Sequence, residues 1–197
     1  VVDDAKAYFA ASGKTFDLIL SEPSNPWVSG VAGLFTAEFY HRIRKYMSPG
    51  GILVQWVHLY EMNDDLVRST LAALQREFPR YTVYMAGDAD IVVVATRGAQ
   101  IPAPDWSVMH LPGVQADLAR LVPLTGETLQ ALWLADDRSL SPFVALARAN
   151  SDYAPLLDLG GELARYLGDG ATGFETLNVF SFDIAAALSE RRVPFSR

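Results

Sequence analysis

The sequence predicts an α/β fold for its first half, because strand-like and helix-like segments alternate there. Continuous apolar runs such as FDLILSE (16–22) and GILVQWVHLY (51–60) are typical of strands buried on both faces of a sheet. Segments with apolar residues at helical spacing separate these runs. This alternation is the order expected of a largely parallel sheet with helices packed on it.

The elements begin close to the start of the chain. VVDD indicates the end of a strand, and residues 5–12 indicate a short helix that Gly13 ends. The apolar run at 16–22 is the next strand, and it ends at a carboxylate, Glu22. Acidic residues therefore follow both strands, at the sheet edge where open α/β folds bind their ligands.

Two amphipathic helices and three more strands complete the first half. A helix over 36–47 follows the loop after Glu22, and the sequence SPGG should stop it. The strand at 51–60 comes next, and a second helix over 63–78 follows it. Two further strands flank a turn at 87–88.

The composition changes after Arg97, where a proline-containing connector begins. From there on the periodicity is helical, and no strand-like run of comparable quality appears. We therefore divide the chain into residues 1–97, an α/β half, and residues 98–197, a mainly helical segment. The predicted helical runs lie at 114–122, 126–137, 142–149, 161–167 and 182–192.

Composition argues against several classes of function. The chain has 16 Lys and Arg residues against 23 Asp and Glu residues, and this net charge of -7 argues against binding nucleic acid. It has no cysteine, which excludes disulfides, thiolate zinc sites and cysteine nucleophiles. The three histidines lack the spacing of metal ligands, so we predict no metal site.

The sequence predicts a soluble domain cut from a longer protein. No apolar run approaches the roughly 20 residues that a membrane-spanning helix needs, and nothing at the N-terminus has the pattern of a signal peptide. The chain begins at Val1, already inside an apolar and then acidic stretch.

The loop after the strand at 16–22 combines an acid with restricted backbone. Glu22 is followed by Pro23, Ser24, Asn25 and Pro26, and the two prolines stiffen the loop where it leaves the sheet. Small residues then make the next part more mobile. A stiff acidic floor below a mobile flap is the arrangement of a substrate gate, although an ordinary strand-to-helix connection has the same composition.

Two aromatic residues near this loop have alternative interpretations. His58 ends the strand at 51–60 and could reach the site, but a histidine bonded to backbone is the more common case. Trp27 could stack on a ligand or dock against another part of the protein.

The order VVDDAKAYF, FDLILSEPSNPW and LFTAEFYHRIRKYMSPGGILVQWV resembles the spermidine synthase family of polyamine aminopropyltransferases, within the methyltransferase-like Rossmann group. It looks most like a branch of long bacterial proteins with an N-terminal membrane-spanning region. The resemblance covers residues 1–97, and ANSDYAPLLDLG (149–160) is similar to a segment near the end of such chains. It implies the C-terminal half of a partial methyltransferase-like Rossmann sheet. It also implies a cytoplasmic-side domain of a parent that a membrane region anchors.

The resemblance also assigns roles to residues. Asp4, with its neighbour Ala5, matches the acid that recognises the adenine amine of the donor. Glu22 matches the acid that acts as base and holds the acceptor amine. Ser24 and Asn25 fall on the rest of that acidic motif, and Gln55 matches a residue that orients the amine.

The departures from the family pattern limit the predicted activity. Asn25 is neutral where the family has a second acid, and a lost charge-assisted hydrogen bond is worth about 1.5 to 3 kcal/mol. Glu22 is one methylene longer than the usual Asp. The Gly-rich turn that cradles the nucleoside is missing, so this stretch should carry half of the donor site and bind no cofactor tightly.

The sequence thus predicts transfer of an aminopropyl or related alkyl group from decarboxylated S-adenosylmethionine to an amine such as putrescine. The fragment alone should be inactive and should pair with the N-terminal half of the same protein or form a homodimer. One alternative is methyl transfer from S-adenosylmethionine, because Asn25-Pro26-Trp27 is similar to the Asn-Pro-Pro-aromatic loop of amino-group methyltransferases. Another is a non-catalytic regulatory or interaction domain of a membrane protein.

Overall fold

A computed structural model describes residues 4–28, 30–86, 89–121 and 125–173 of the chain. These residues form a five-stranded sheet in the order β1-β2-β4-β3-β5. The strands are β1 (Phe16–Ser21), β2 (Met47–His58), β3 (Arg80–Met85), β4 (Asp90–Thr96) and β5 (Trp133–Asp136). The helices are α1 (Ala5–Ser12), α2 (Ala37–Lys45), α3 (Asp64–Glu77), α4 (Pro112–Leu121), α5 (Gly126–Ala131), α6 (Ser141–Val144) and α7 (Leu156–Leu167).

The predicted α/β class is confirmed, but the sheet is mixed rather than largely parallel. β1 and β2 pair in parallel, whereas β4 is antiparallel to both β2 and β3. The connection between β3 and β4 is too short for a crossover, and a short connection of this kind joins antiparallel neighbours. β1, β2 and β3 therefore run in one direction, and β4 is inserted between β2 and β3 in the other.

One face of the sheet carries the main core. The apolar faces of α2 and α3 pack there against odd-numbered residues of the central strands, such as Leu53 and Val93, which are fully buried. The opposite face of β2, β4 and β3 forms one wall of a cavity of about 510 Å3, and the connector at 101–106 forms another. The sheet is thus a layer between helices on one side and the connector on the other.

The edge strand β1 is more exposed than its composition predicted. Leu18 and Leu20 are 54% and 70% exposed, while Ile19 between them is 7% exposed. The expectation of a strand buried on both faces was wrong, because the described residues cover the Ile19 face with the core and leave the Leu18 and Leu20 face largely uncovered. The face of β1 that carries Leu18 and Leu20 continues the face of β2 that carries Val54.

The structure confirms the helix boundaries that capping residues predicted. Thr36 Oγ1 accepts a hydrogen bond from the Phe39 backbone N–H (3.2 Å) at the start of α2. Asn63 caps α3, and Gly13 ends α1 with a positive φ of 60° that favours glycine. The sequence SPGG, expected only to stop a helix, lies inside β2.

The C-terminal half contains a strand where helix was expected. The run at 126–137 is helical only in α5, and the next residues form β5 against β3. Trp133 Nε1 donates a hydrogen bond to Thr82 Oγ1 at 2.8 Å, and Leu134 and Ala135 are buried. Pairing with an open sheet edge therefore overrides the helical periodicity.

Several predicted features lie outside the described residues. They are the strand end at 1–3, the flap residue Ser29, the turn at 87–88 and the helix at 182–192. The division of the chain at residue 97 stays a prediction, although β5 from the second half joins the sheet of the first.

A buried asparagine joins the second half to the first. Asn150 is fully buried, and its Nδ2 donates to the carbonyl oxygens of Phe35 (3.1 Å) and Ala32 (3.4 Å). Its Oδ1 accepts from the Leu157 backbone N–H at 3.1 Å. Its backbone N–H and carbonyl bond to Ser69 and to Ala37. Asn150 therefore fixes the 3-10 helix Val31–Phe35, which follows the loop after β1, against α2, α3 and α7.

Next to Asn150, a carboxylate at the start of α2 holds the same segment. Glu38 accepts hydrogen bonds from the Ser151 hydroxyl (2.8 Å) and the Asp152 backbone N–H (2.9 Å). Burial raises the pKa of Glu38, but these two bonds, together with its own backbone N–H and the charge of Arg76, outweigh it and leave the pKa below its usual range. The segment that resembles the end of known chains thus has a structural role here.

Candidate functional site

The candidate site lies where β1 and β2 end side by side. Ser21 ends β1 and pairs with Gln55 of β2, so the loop that begins at Glu22 leaves the sheet beside the last residues of β2. Open α/β sheets bind ligands in the crevice beyond such strand ends. The predicted residues of the loop therefore lie at the expected edge.

Glu22 stands on a loop with a well-supported backbone. Its side chain is exposed, while Pro23 and Pro26 on either side of the loop are buried. A turn follows, in which the Val28 N–H donates to the Asn25 carbonyl at 2.9 Å. The buried prolines hold the loop against the domain and present Glu22 to solvent at the edge of the sheet.

Gln55 is buried with one of its two polar ends unpaired. Its Nε2 donates to the Trp56 carbonyl at 3.0 Å and to the Ser21 carbonyl at 3.4 Å. Its Oε1 is buried and has no hydrogen-bond partner among the described residues. The amide thus ties the end of β1 to β2 and leaves one buried acceptor unpaired.

The structure brings Asn25 next to a residue that the sequence did not single out. The Tyr60 hydroxyl donates to Asn25 Oδ1 at 3.4 Å. Burial raises the pKa of Tyr60, and the carboxylates of Asp90 and Glu61 raise it further. The two acids therefore act on the hydroxyl that contacts Asn25.

His58 ends β2 on the other face of that strand from Gln55. Only 1% of its side chain is exposed, and its Nδ1 lies 3.5 Å from Oδ1 of Asp90, the residue opposite in β4. Desolvation lowers the pKa of His58, whereas Asp90, the Ser24 backbone and Glu61 raise it by a smaller amount. The expected backbone hydrogen bond of His58 is not formed at ordinary length among the described residues.

Trp27 docks on this same end of the domain. Its ring lies 6.1 Å from the His58 ring and 6.2 Å from the Tyr60 ring, measured between centroids. The Arg165 guanidinium of α7 lies 5.6 Å from the Trp27 centroid and 3.8 Å from the Glu61 carboxylate. An aromatic ring and a carboxylate here already hold a cation.

Asp4 and Ala5 lie at the beginning of α1. Asp4 is its N-cap, and its Oδ1 accepts a hydrogen bond from the Ala7 backbone N–H at 2.8 Å. Ala5 is the first residue of that helix. The proposed adenine recognition by these residues stays a prediction, as do the roles of Glu22, Ser24 and Gln55.

Sequence reasoning missed Tyr60, Glu61 and Asp90. The signal that could have identified Asp90 is its position at the start of the strand after the turn at 87–88, which places it opposite the end of a neighbouring antiparallel strand. That signal requires the strand order, because β4 lies between β2 and β3 rather than at an edge.

Two other features of the described residues bear on function. They contain no cluster of three or more side chains that could hold a metal ion, and none of their helices has the length and apolarity needed to span a membrane. The cavity of about 510 Å3 is almost wholly apolar and includes none of the predicted site residues in its lining.

The fold and site define an α/β domain with an acidic and aromatic cluster at the carboxyl edge of two parallel strands. In sequence the chain is similar to polyamine aminopropyltransferases. It is 32% identical over 91 residues to one from Aeropyrum pernix, a match of 43% of this chain and 29% of that protein. It is 33% identical over 86 residues to polyamine aminopropyltransferase 1 of Pseudomonas aeruginosa, a match of 44% of this chain and 30% of that protein.

The chain thus spans less than a third of the curated relatives that it matches, and no protein-family profile matches it. Among solved structures, a probable spermidine synthase from Corynebacterium glutamicum has 20% identity and a TM-score of 0.48, over 77% of this chain and 53% of that one. Human methyltransferase-like protein 13 in complex with SAH has 17% identity and a TM-score of 0.40, over 81% of this chain and 64% of that one.

Proposed function

We propose that this chain is the acceptor-binding part of a spermidine-synthase-like transferase. The reaction would move an aminopropyl group from decarboxylated S-adenosylmethionine to an amine such as putrescine. The observation that supports it best is the position of the Glu22 loop, which lies against the end of β2 beside Gln55, with Asn25 contacting Tyr60. Sequence similarity to polyamine aminopropyltransferases gives the reaction class.

The acceptor is a cation before it reacts, and the described site suits a cation. Glu22 is exposed at the strand end, where its carboxylate can meet an ammonium group, and Asn25 in the same loop contacts Tyr60. Glu22 would supply the charge that holds the amine, and because Asn25 is neutral the affinity for a diamine would be lower than that of a site with two acids.

The transfer needs positioning and one proton acceptor. Glu22 would bind the ammonium form of the acceptor and accept one of its protons, which frees the nitrogen lone pair. That nitrogen attacks the carbon next to the sulfonium sulfur, and the carbon–sulfur bond breaks with its electron pair left on sulfur. Methylthioadenosine leaves as a neutral molecule, and the positive charge passes to the new secondary amine.

Asp4 would contribute to the donor side by accepting a hydrogen bond from the adenine amine. Because Asp4 is the N-cap, its carboxylate is held at the start of α1. The remaining contacts to the nucleoside would come from the N-terminal half of the same protein. The surface of this chain that would contact that half is the edge strand β1, with the exposed Leu18 and Leu20. A homodimer is the other way to cover that edge.

The proposal is tested by incubating the full-length protein with putrescine and each of two donors, and identifying products by mass spectrometry. Decarboxylated S-adenosylmethionine should give spermidine and methylthioadenosine, and Glu22→Gln should lower the rate at least about a hundredfold. Glu127→Gln, an exposed acid of α5, should leave the rate unchanged.

The same experiment separates the alternative functions. A methylated amine formed from S-adenosylmethionine would favour the methyltransferase that the Asn25-Pro26-Trp27 sequence suggests. No product from either donor, with a folded protein, would overturn both and favour an interaction domain. The membrane anchor of the parent is a separate prediction, which fractionation of the full-length protein tests.

A further inference from the structure

His58 and Asp90 form a pair whose burial calls for a function. The His58 side chain is 1% exposed, and its ring Nδ1 faces Asp90 Oδ1 at 3.5 Å across the β2–β4 ladder. Neither ring nitrogen, nor that carboxylate oxygen, has a hydrogen bond of ordinary length among the described residues. Buried polar atoms without partners cost about 1 to 3 kcal/mol each, so such groups need a reason to be present.

Packing alone does not supply that reason. The ring packs edge-on against Trp56 at 4.4 Å and lies 5.1 Å from Tyr60 and 6.1 Å from Trp27, measured between centroids. A phenyl ring would fill the same space in this aromatic cluster without the cost of desolvating two nitrogens. The nitrogens of His58 therefore matter more than its shape.

The second partner of the ring is the loop of the candidate site. The His58 ring lies 5.1 Å from the Tyr60 ring, measured between centroids, and the Tyr60 hydroxyl donates to Asn25 Oδ1 of that loop at 3.4 Å. The Ser24 backbone also raises the pKa of His58. A neutral imidazole has one N–H and can donate to Asp90 or to Ser24, whereas an imidazolium has two and can donate to both. The charge state of the ring thus decides how many bonds hold the loop.

We propose that His58 and Asp90 are a positioning pair for the loop at 22–25. When His58 takes up a proton from solvent, one N–H donates to Asp90 and the other to the Ser24 backbone. These bonds draw Glu22 and Asn25 onto the end of β2. When the proton leaves, one of the two bonds is lost and the loop loosens.

The other charged groups around the ring also change the pKa of His58. Glu61, which follows β2, favours the imidazolium, and Arg165 of α7 offsets it because it lies 3.8 Å from Glu61. Tyr60 stays neutral because burial and both acids raise its pKa. Desolvation is the largest of these effects, so the pKa of His58 lies below the ordinary histidine value.

The pair is tested by NMR titration of the full-length protein from about pH 4 to 8, which brackets the ordinary histidine value. The ring signals of His58 and the backbone amides of Ser24 and Asn25 should shift with one common midpoint. Asp90→Asn should move that midpoint to lower pH, because the carboxylate stabilises the imidazolium. Loop amides that do not follow the His58 titration would overturn the proposal.

A matched control and a second variant complete the test. His41 is exposed and paired with Glu77 at 3.1 Å, so His41→Gln should leave the Ser24 and Asn25 titration unchanged. His58→Gln should abolish it. If the amides still titrate in His58→Gln with the same midpoint, the proposal is wrong.

These measurements do not depend on the proposed transferase activity, although the consequence for catalysis does. If the protein transfers an aminopropyl group, Asp90→Asn should raise the KM for the amine several-fold more than it lowers kcat. A pair that titrates with the loop in a protein without transferase activity would leave the positioning role standing and remove the proposed function.

Discussion

Two buried polar residues, Asn150 and His58, lie near the segment between β1 and α2 and are paired very differently. Asn150 is fully buried, and its side-chain amide both donates and accepts, to Phe35, Ala32 and Leu157. His58 is almost as buried, and neither of its nitrogens has a bond of ordinary length among the described residues. Complete pairing indicates a structural role, and incomplete pairing indicates a site that changes its bonds.

The largest expected effect is on Asn150. Asn150→Leu should lower the free energy of unfolding by about 3 kcal/mol, because the Leu157 N–H and the Phe35 and Ala32 carbonyls each lose a buried partner. Urea denaturation measures this loss. A loss below about 1 kcal/mol would break the comparison, since Asn150 would then be no better paired than His58.

The matched change at His58 should cost less at neutral pH. His58→Leu should lower the free energy of unfolding by about 1 kcal/mol or less, because the variant removes two unpaired nitrogens along with a ring. The same urea experiment gives the value. A loss as large as that of Asn150→Leu would show that the ring has a structural role.

The pH dependence of the His58 variant sharpens this result. Desolvation lowers the pKa of His58 in the folded state, so its stability contribution is present above the unfolded value of about 6.5 and is lost as the pH falls through the folded value. The stability difference between wild type and His58→Leu should therefore shrink or reverse on acidification. A constant difference between pH 7 and about pH 5 would contradict a titrating His58.

A smaller effect is expected on the Asn150 side, at Glu38. The pKa of Glu38 is lower in the folded state than in the unfolded state. The stability that its carboxylate contributes is therefore present above the unfolded pKa of about 4.3 and is lost as the pH falls through the folded pKa. Glu38→Gln should cost about 0.5 kcal/mol at neutral pH, because the carboxylate is partly exposed and solvent weakens its bonds. The difference in unfolding free energy between wild type and Glu38→Gln should be present at neutral pH and largely gone at about pH 3.5, as urea denaturation of both proteins at the two pH values measures.

The smallest effect is expected on the exposed face of β1. Leu20→Gln should change the stability of the 197-residue chain by less than about 0.5 kcal/mol, since the Leu20 side chain is 70% exposed. Thermal unfolding measures the change. A loss above about 1 kcal/mol would show that this face is already covered in the chain alone.

The sequence predicted the features that local chemistry determines. Thr36 and Asn63 identified helix starts, and Glu22 identified the end of β1. These predictions succeed because a cap bonds to backbone within three residues, and a strand end needs only the apolar run before it.

The features that depend on strand order could not be predicted in the same way. β5 forms because β3 offers an open edge to Trp133, and the helical spacing of that run contains no sign of it. Asp90 meets His58 only because β4 lies between β2 and β3. The exposure of Leu18 and Leu20 likewise depends on which elements pack over their face of the sheet, which the apolar run itself does not determine.

The most direct test of the account is calorimetric titration of the full-length protein with putrescine in the presence of methylthioadenosine. The account predicts that Glu22→Gln weakens putrescine binding about tenfold to a hundredfold, that Asp4→Ala weakens methylthioadenosine binding, and that Glu127→Gln changes neither. Putrescine binding that is unchanged in Glu22→Gln, or absent from the folded wild-type protein, would contradict the claim that the carboxyl edge of β1 and β2 is the amine site.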